Sequence, residues 1–438
     1  MGFASGHAAI RSLTSRVHPC AVKYHRLWER LIEYINEWPA RSSLQVEVAS
    51  FAGWSKGRRT GPMPSQAEDI SMNNDVVAAP DEAVPSSRRA TIALATLLGL
   101  SVALIGTLAR PVPPSLSTTV TGDAALAAVA LPYLDGALDR VSMAMVDGDT
   151  VSYTNFGAES DTVYEIGSVT KTFTSLLLAD AIERGDVTAD STLGAFLPLG
   201  DGPVADVTLA ELASHRSGLP RNAPLSLQEE LLFLGSPHRD PFSQDVNGVI
   251  AQARSLTLNQ RGTVNYSNLG TALLGQALAA NSSMAYEELV RQRILEPLGM
   301  SASTVPVTAD NLPSDVLTGY SIDGKHAPAW TMNGSAPAGG IHSTAEDLVR
   351  YAQALLDGTA PGMGALTPRW DAGYGTRIGY AWNTTTVAGQ TVTSHGGATG
   401  GFCSAMALDL TNDRAVIILS NTKAPVELAA LTLVVGEH

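Results

Sequence analysis

The sequence predicts an α/β (α+β) fold: one antiparallel sheet built from both ends of a region spanning residues 123–438, flanked by helices, with a helical region inserted between those ends. Three observations predict it. Residues 141–146 and 151–156 are strand-like runs on either side of Asp147-Gly148-Asp149, the pattern of a hairpin. From about Ser168 to Pro297 apolar residues recur at helical spacing. Strand-like runs then return at 391–394, 402–410 and 415–420, the last two joined by a turn at Asn412-Asp413. Strands first, helices next and strands last place both ends in one sheet.

Taken in chain order, the predicted elements begin with a helix over 124–137, followed by the hairpin. A second helix opens at Ser168-Val169-Thr170-Lys171, carries Phe173, Leu176, Leu177 and Ile182, and stops at Gly185, which fits the position just past a helix end. A third runs from Thr271 to Ala280 after a glycine-bounded loop.

Ahead of this region the chain changes character. Residues 1–89 carry 11 Lys and Arg against 9 Asp and Glu, Arg110 adds one positive charge, and everything after it carries 16 against 33. The net charge of −14 therefore lies entirely in the C-terminal part, and it excludes the basic footprint of a nucleic-acid binder. Between the two regimes, residues 90–109 are twenty uncharged, mostly apolar residues, long enough for one transmembrane helix. Arg88 and Arg89 precede the run, so the positive-inside rule sends the C-terminal part out of the cytoplasm. The same run also suits a cleaved signal sequence, with Thr107-Leu108-Ala109 at its end. The expected location is the cell membrane with an extracytoplasmic domain, or secretion if the signal is cleaved.

Residues 1–89 are a cytoplasmic segment or the product of too early an assigned start, with Met72 as the alternative. Within them, residues 22–38 have the pattern of an amphipathic helix. Residues 110–122, rich in Pro, Ser and Thr, form a linker. Two cysteines, Cys20 and Cys403, fall on opposite sides of the predicted span, so no disulfide is expected. No Cys/His spacing suggests a metal. Cys403 reads as a small buried apolar residue.

Serine and lysine three apart on a helix share a face, so the Lys171 amine can reach the Ser168 hydroxyl. A serine hydroxyl is a weak nucleophile that needs such a base. By itself S-x-x-K is a weak signal. Ser168 would also suit an ordinary N-cap, and the pattern recurs at Ser420-Asn421-Thr422-Lys423, on a strand end. Order and company decide. Tyr266-Ser267-Asn268 follows, in a loop leading into the third helix; Tyr-x-Asn recurs at Tyr34 and Tyr153, but only Tyr266 lies between the Ser168 helix and the next element. That element is His395-Gly396-Gly397-Ala398 on a strand end, where glycines let a substrate backbone approach closely.

With these three motifs in order, residues 123–438 resemble the serine β-lactamase and penicillin-binding-protein superfamily, in its class C β-lactamase-like branch. Supporting phrases are residues 212–220 (LASHRSGLP), 297–300 (PLGM) and 338–345 (AGGIHSTA). The third motif departs from the usual Lys-Thr-Gly, since His395 stands where relatives place lysine. The resemblance implies that Ser168 attacks a carbonyl to form an acyl-enzyme, and that Lys171 and Tyr266 share proton transfer, with the base between them unsettled. It further implies that the Ser168 and Ala398 N–H groups form the oxyanion hole, and that Asn268, His395, Gly396 and Gly397 bind substrate. His215 and His342 are read as packing residues. The implied partner is a small-molecule or peptide substrate met by a monomer, with no cofactor and no metal. Carboxypeptidase, esterase, amidase and β-lactamase activities all occur on this scaffold.

An unperturbed imidazole titrates near about 6.5, against about 10.4 for lysine. His395 is therefore expected to be mostly uncharged at neutral pH, to hold a substrate carboxylate weakly, and to improve at it as pH falls toward about 6. The competing function is a membrane-tethered sensor of penicillins or cell-wall peptides that does not turn over. An ordinary α/β-hydrolase is the weaker reading, since no G-x-S-x-G elbow occurs within residues 123–438.

Overall fold

The computed structural model describes residues 111–436, apart from 225–226, 237 and 313–315, together with Thr96, Leu97, Gly99 and Ser101. The segment 1–89, Cys20 and all but four positions of the apolar run 90–109 lie outside the described residues. Among the described residues no helix is long and apolar enough to cross a membrane.

Nine strands form one antiparallel sheet: β1 (Val120–Gly122), β2 (Val141–Asp147), β3 (Thr150–Phe156), β4 (Trp370–Gly373), β5 (Thr376–Ile378), β6 (Asn383–Val387), β7 (Gln390–Ala398), β8 (Cys403–Asp409) and β9 (Arg414–Ser420). Their order across the sheet is β1-β3-β2-β9-β8-β7-β6-β5-β4. The C-terminal strand β9 pairs with the N-terminal β2, with Ile417 opposite Ala144, so both ends of the region do close one sheet. The hairpin β2–β3 turns at Asp147–Thr150, and β8–β9 turns past Asp409.

Among the described residues, nine helices accompany the sheet: α1 (Ala124–Ala130), α2 (Thr170–Glu183), α3 (Leu209–Ala213), α4 (Leu227–Gly235), α5 (Val246–Arg254), α6 (Asn268–Ser282), α7 (Tyr286–Val290), α8 (Ala345–Leu356) and α9 (Glu427–Val434). All but the first and last are inserted between β3 and the rest of the sheet or flank that insertion. Alternation along the central strands serves two cores. Val416 and Ile418 of β9 pack with Met143, Leu126 and Leu433, under α1 and α9. Ala415, Ile417 and Leu419 pack on the other side, with Phe173, Leu176 and Leu348 of the helical region. Period-two alternation with both faces apolar is what a sheet covered by helices on each side requires.

Several expectations change. The helix predicted over 124–137 ends at Ala130, because Pro132 supplies no N–H for a further turn; Leu131–Tyr133 continue as a 3₁₀ turn. Asp123 caps the start, accepting from the Ala125 and Leu126 N–H groups at 2.8 and 3.1 Å. The sheet begins at Val120, within the stretch read as linker, where β1 pairs with β3. β4 to β6 were not anticipated. They are short, half-exposed and rich in Thr and Gly, so they carry no apolar alternation. Helices α8 and α9 were also missed. β7 extends from Gln390 through Ala398, so the His395 motif lies inside a strand.

Candidate active site

The α2 helix is buried on every side, with Lys171, Thr172, Phe173, Thr174 and Ser175 almost fully enclosed. Phe173 stacks on Tyr351 of α8 at 4.2 Å, and the Thr174 hydroxyl engages the Pro337 carbonyl at 2.8 Å. A helix buried all round is a fixed platform. Ser168 does not open it. Gly167–Val169 form a 3₁₀ turn, α2 begins at Thr170, and Ser168 makes no capping hydrogen bond. Gly185 takes φ +78° just beyond the helix, as expected.

The Ser168 hydroxyl has two functional neighbours. Lys171 Nζ lies 3.0 Å from Ser168 Oγ, and the Tyr266 hydroxyl donates to it at 2.8 Å. Lys171 Nζ also donates to the Ala338 carbonyl at 2.5 Å. Complete burial holds the Lys171 amine well below the ordinary lysine range, and the Arg221 guanidinium pushes the same way. A neutral amine beside a hydroxyl can accept its proton.

Tyr266 is placed by the loop before α6. Ser267 caps α6, accepting the Gly270 N–H at 2.9 Å while donating to the Pro220 carbonyl at 2.7 Å. The Asn265 N–H binds the His215 carbonyl at 2.7 Å. His215 is buried with φ +58°, its Nδ1 accepts the Ser267 N–H at 3.3 Å, and its ring lies 4.4 Å from that of Tyr266. Burial keeps this imidazole neutral, its pKa well below the ordinary value. It packs beneath Tyr266 and does not touch Ser168 through any hydrogen bond. His342, equally buried, holds the Trp330 carbonyl through Nε2 at 3.1 Å. Asn268 is the first residue of α6, and its amide donates to Asn222 Oδ1 at 2.8 Å.

Strand β7 forms the opposite wall. A β-carbon on Gly397 would lie 2.1 Å from the Ile166 carbonyl and 3.0 Å from Ser168 N, so the strand and the 3₁₀ turn meet backbone to backbone. Gly167, at φ +48°, completes this meeting, since a β-carbon there would lie 2.7 Å from Ala398 N. These contacts place the backbone nitrogens of Ser168 and Ala398 at the same junction of strand and turn. Gly396 faces the other side of the sheet, toward Glu427.

His395 is 4% exposed, and its ring centroid lies 6.5 Å from that of Tyr266. Its Nδ1 sits 2.7 Å from the Gly396 carbonyl, which makes Nδ1–H the donor and leaves Nε2 as an acceptor. Burial pushes its pKa down to about 4, with Lys171 adding to the effect and the Gly396 carbonyl opposing it. The expected gain of charge near pH 6 is thereby corrected: burial keeps His395 neutral well below that pH.

Sequence reasoning missed Ala338, Arg221 and Asn222. Ala338 acts through a backbone carbonyl, which no side-chain pattern reveals. Arg221 lies with Cζ 4.9 Å from the centre of the Tyr266 ring, and the adjacent Asn222 reaches Asn268; both follow directly on the phrase ending at Pro220. Cys403 behaves as expected, a buried free thiol pushed up to about 12 by its surroundings.

Known proteins share this chain's fold and part of its sequence. The chain is 28% identical over 216 residues to D-alanyl-D-alanine-carboxypeptidase/endopeptidase AmpH of Escherichia coli K12, covering 48% of this chain and 53% of that protein. It is 28% identical over 327 residues to D-aminopeptidase of Cereibacter sphaeroides, covering 69% of this chain and 60% of that protein. The chain thus spans little more than half the length of these curated relatives. Among solved structures, a beta-lactamase/D-alanine carboxypeptidase from Pseudomonas syringae shares the fold, with a TM-score of 0.62 and 20% identity over 72% of this chain and 99% of that one. The family model described as beta-lactamase matches residues 134–436, which contain every site residue named above, and this chain belongs to the beta-lactamase family.

Proposed function

We propose that this protein is a serine hydrolase that works through an acyl-enzyme on Ser168, outside the cytoplasm, on an amide, peptide or ester. The observation that carries this reading is the meeting of Lys171 Nζ and the Tyr266 hydroxyl at Ser168 Oγ, with the amine enclosed and its pKa held well below the ordinary lysine range by burial. Lys171 takes the Ser168 proton as Oγ bonds to the substrate carbonyl carbon, and the carbonyl oxygen takes up the displaced electron pair. The Ser168 and Ala398 N–H groups stabilise that oxyanion. As it collapses, the leaving group departs with a proton returned from Lys171 through Tyr266. Water then attacks the acyl-enzyme, releasing the acid and restoring Ser168.

The relatives named above include a carboxypeptidase/endopeptidase and an aminopeptidase, which supports a peptide or related amide as substrate class. The neutral His395 supports substrates without a carboxylate at that position, because a charge-assisted hydrogen bond contributes about 1.5–3 kcal/mol that this imidazole does not supply. Nitrophenyl esters and a fluorescent penicillin, given to the purified protein, test the reading. Ester turnover with weak penicillin turnover is expected. Persistent labelling without turnover would instead identify a sensor, and neither outcome would leave an inert binder. The extracytoplasmic placement rests on residues 88–109; protease added to intact cells should digest the chain beyond Pro111, and protection until the membrane is broken contradicts it.

A further inference from the structure

The three residues from Pro220 to Asn222 clamp the Tyr266 loop almost residue by residue. The Pro220 carbonyl accepts the Ser267 hydroxyl at 2.7 Å. The Arg221 carbonyl accepts the Asn268 and Leu269 N–H groups at 2.8 and 3.3 Å, and Asn222 Oδ1 accepts the Asn268 amide at 2.8 Å. Arg221 is thus fixed through its backbone, and its side chain reaches Tyr266 itself, with Cζ 4.9 Å from the centre of the ring. Lys171 Nζ lies 4.9 Å from the same centre. The hydroxyl of that ring is bonded to Ser168 Oγ at 2.8 Å. Arg221 and Lys171 therefore stand within about 10 Å of each other, close enough for a charge on one to act on the other. Their surroundings differ. Lys171 is enclosed, whereas Arg221 is exposed and its guanidinium keeps its proton at every working pH.

We propose that Arg221 is a positioning residue for the Lys171–Tyr266 pair: its guanidinium, set against the Tyr266 ring, is the permanent cation of the site and disfavours a second positive charge on the pair. The inference rests on the serine-hydrolase reading above. The pair has two forms without net charge, amine with phenol and ammonium with phenolate, and in each one member can accept the Ser168 proton. One further proton gives ammonium with phenol, which is positively charged and holds no base. A fixed cation opposes that proton whichever member would take it, so the effect belongs to the pair as a unit. The other titratable groups around the pair supply no such charge near neutral pH. His215 packs on the Tyr266 ring and His395 faces it from β7; burial lowers the pKa of both imidazoles, that of His395 to about 4. Glu165, in the two-residue strand entering the Ser168 turn, is kept protonated by burial, its pKa raised to about 8. The direction at Lys171 agrees, since burial depresses its pKa first and Arg221 adds to that. Arg221 thus stands where a cation is needed in a site whose third motif offers histidine in place of lysine.

The test is kcat/KM for a nitrophenyl ester across the acid range, read as the ratio of its value at pH 5.5 to its value at pH 8, with thermal melting at both as a folding check. A cation that disfavours the protonated pair holds the acid limb at low pH, so its removal moves the limb up. In Arg221→Gln the shift should be on the order of half to one pH unit, the effect of one partly screened unit charge at about 10 Å, and the ratio should fall about threefold to tenfold. Arg221→Lys keeps the charge and should hold the ratio within about twofold of the unmodified protein. A merely structural role would lower kcat/KM alike at both pH values and leave the ratio where it was. A ratio unchanged in Arg221→Gln, or lowered as far in Arg221→Lys, overturns the proposal. Arg221→Met, uncharged and of similar length, must move the ratio as Arg221→Gln does, and it decides if Arg221→Gln does not fold. Ser168→Ala separates the two levels: turnover persisting in that variant sinks the hydrolase reading itself, whereas an inert Ser168→Ala beside an unchanged ratio in Arg221→Gln sinks only the role of Arg221.

Discussion

The pattern Ser-x-x-Lys occurs at Ser168–Lys171 and again at Ser420–Lys423, and the two copies have opposite fates. At the first, a 3₁₀ turn running into α2 winds Lys171 back over Ser168, and the amine is buried against the hydroxyl. At the second, Ser420 ends β9 and the chain continues through bends, with no helix. Its hydroxyl turns inward to Thr422 Oγ1 at 3.0 Å, while Lys423 is exposed. Asn421, between them, ties the Asp139 carboxylate and the Thr318 carbonyl at 2.8 and 2.9 Å. Spacing three is a shared face only on a helix; on a strand end the same residues become a polar clasp.

The comparison breaks most sharply at the lysines. Lys171→Ala should lower kcat/KM for an ester by about 10²–10⁴, the usual worth of a positioned general base, while Lys423→Ala should leave it within about twofold, as expected for an exposed side chain away from the site. Steady-state kinetics on both variants decides; a large loss at Lys423 would contradict the assignment. The next effect belongs to the wall facing the first copy. Gly397→Ala would drive a β-carbon into the Ile166 carbonyl and toward Ser168 N. It should cost about 10²-fold in kcat, as for a displaced oxyanion donor, and an unaffected kcat would place the oxyanion elsewhere.

A smaller effect concerns His395, the charge partner that the first copy lacks. Because its pKa sits near about 4, it is neutral above roughly pH 5 and gains charge only below that. The ratio of kcat/KM for a carboxylate substrate and its methyl ester should favour the ester and stay flat from pH 5.5 to 8.5. A ratio rising toward the carboxylate as pH drops from 7 to 6 would mean that the imidazole is more solvated than its burial indicates. The smallest effect returns to the second copy. Ser420→Ala removes a buried hydroxyl pair and should cost about 1 kcal/mol of stability in urea unfolding, without changing turnover.

What was legible in the sequence follows from the same contrast. Ser168, Lys171 and Tyr266 were found because ordered local motifs carry them, and the paired chain ends because β2, β8 and β9 alternate cleanly. β4 to β6 were invisible, since strands such as Asn383–Val387, toward one end of the sheet and half-exposed, need no apolar period. The Ala338 carbonyl and the depressed pKa of His395 were beyond reach for another reason. Each arises from burial by segments far along the chain, which spacing within a motif does not encode.

The central claim, that only the helical copy is a nucleophile, is tested most directly by locating the covalent adduct of an active-site phosphonate. Intact mass followed by peptide mapping should show one adduct per chain, on the peptide containing Ser168, absent from Ser168→Ala and unchanged in Ser420→Ala. An adduct on Ser420, or equal labelling of Ser168→Ala and the unmodified protein, would contradict the account.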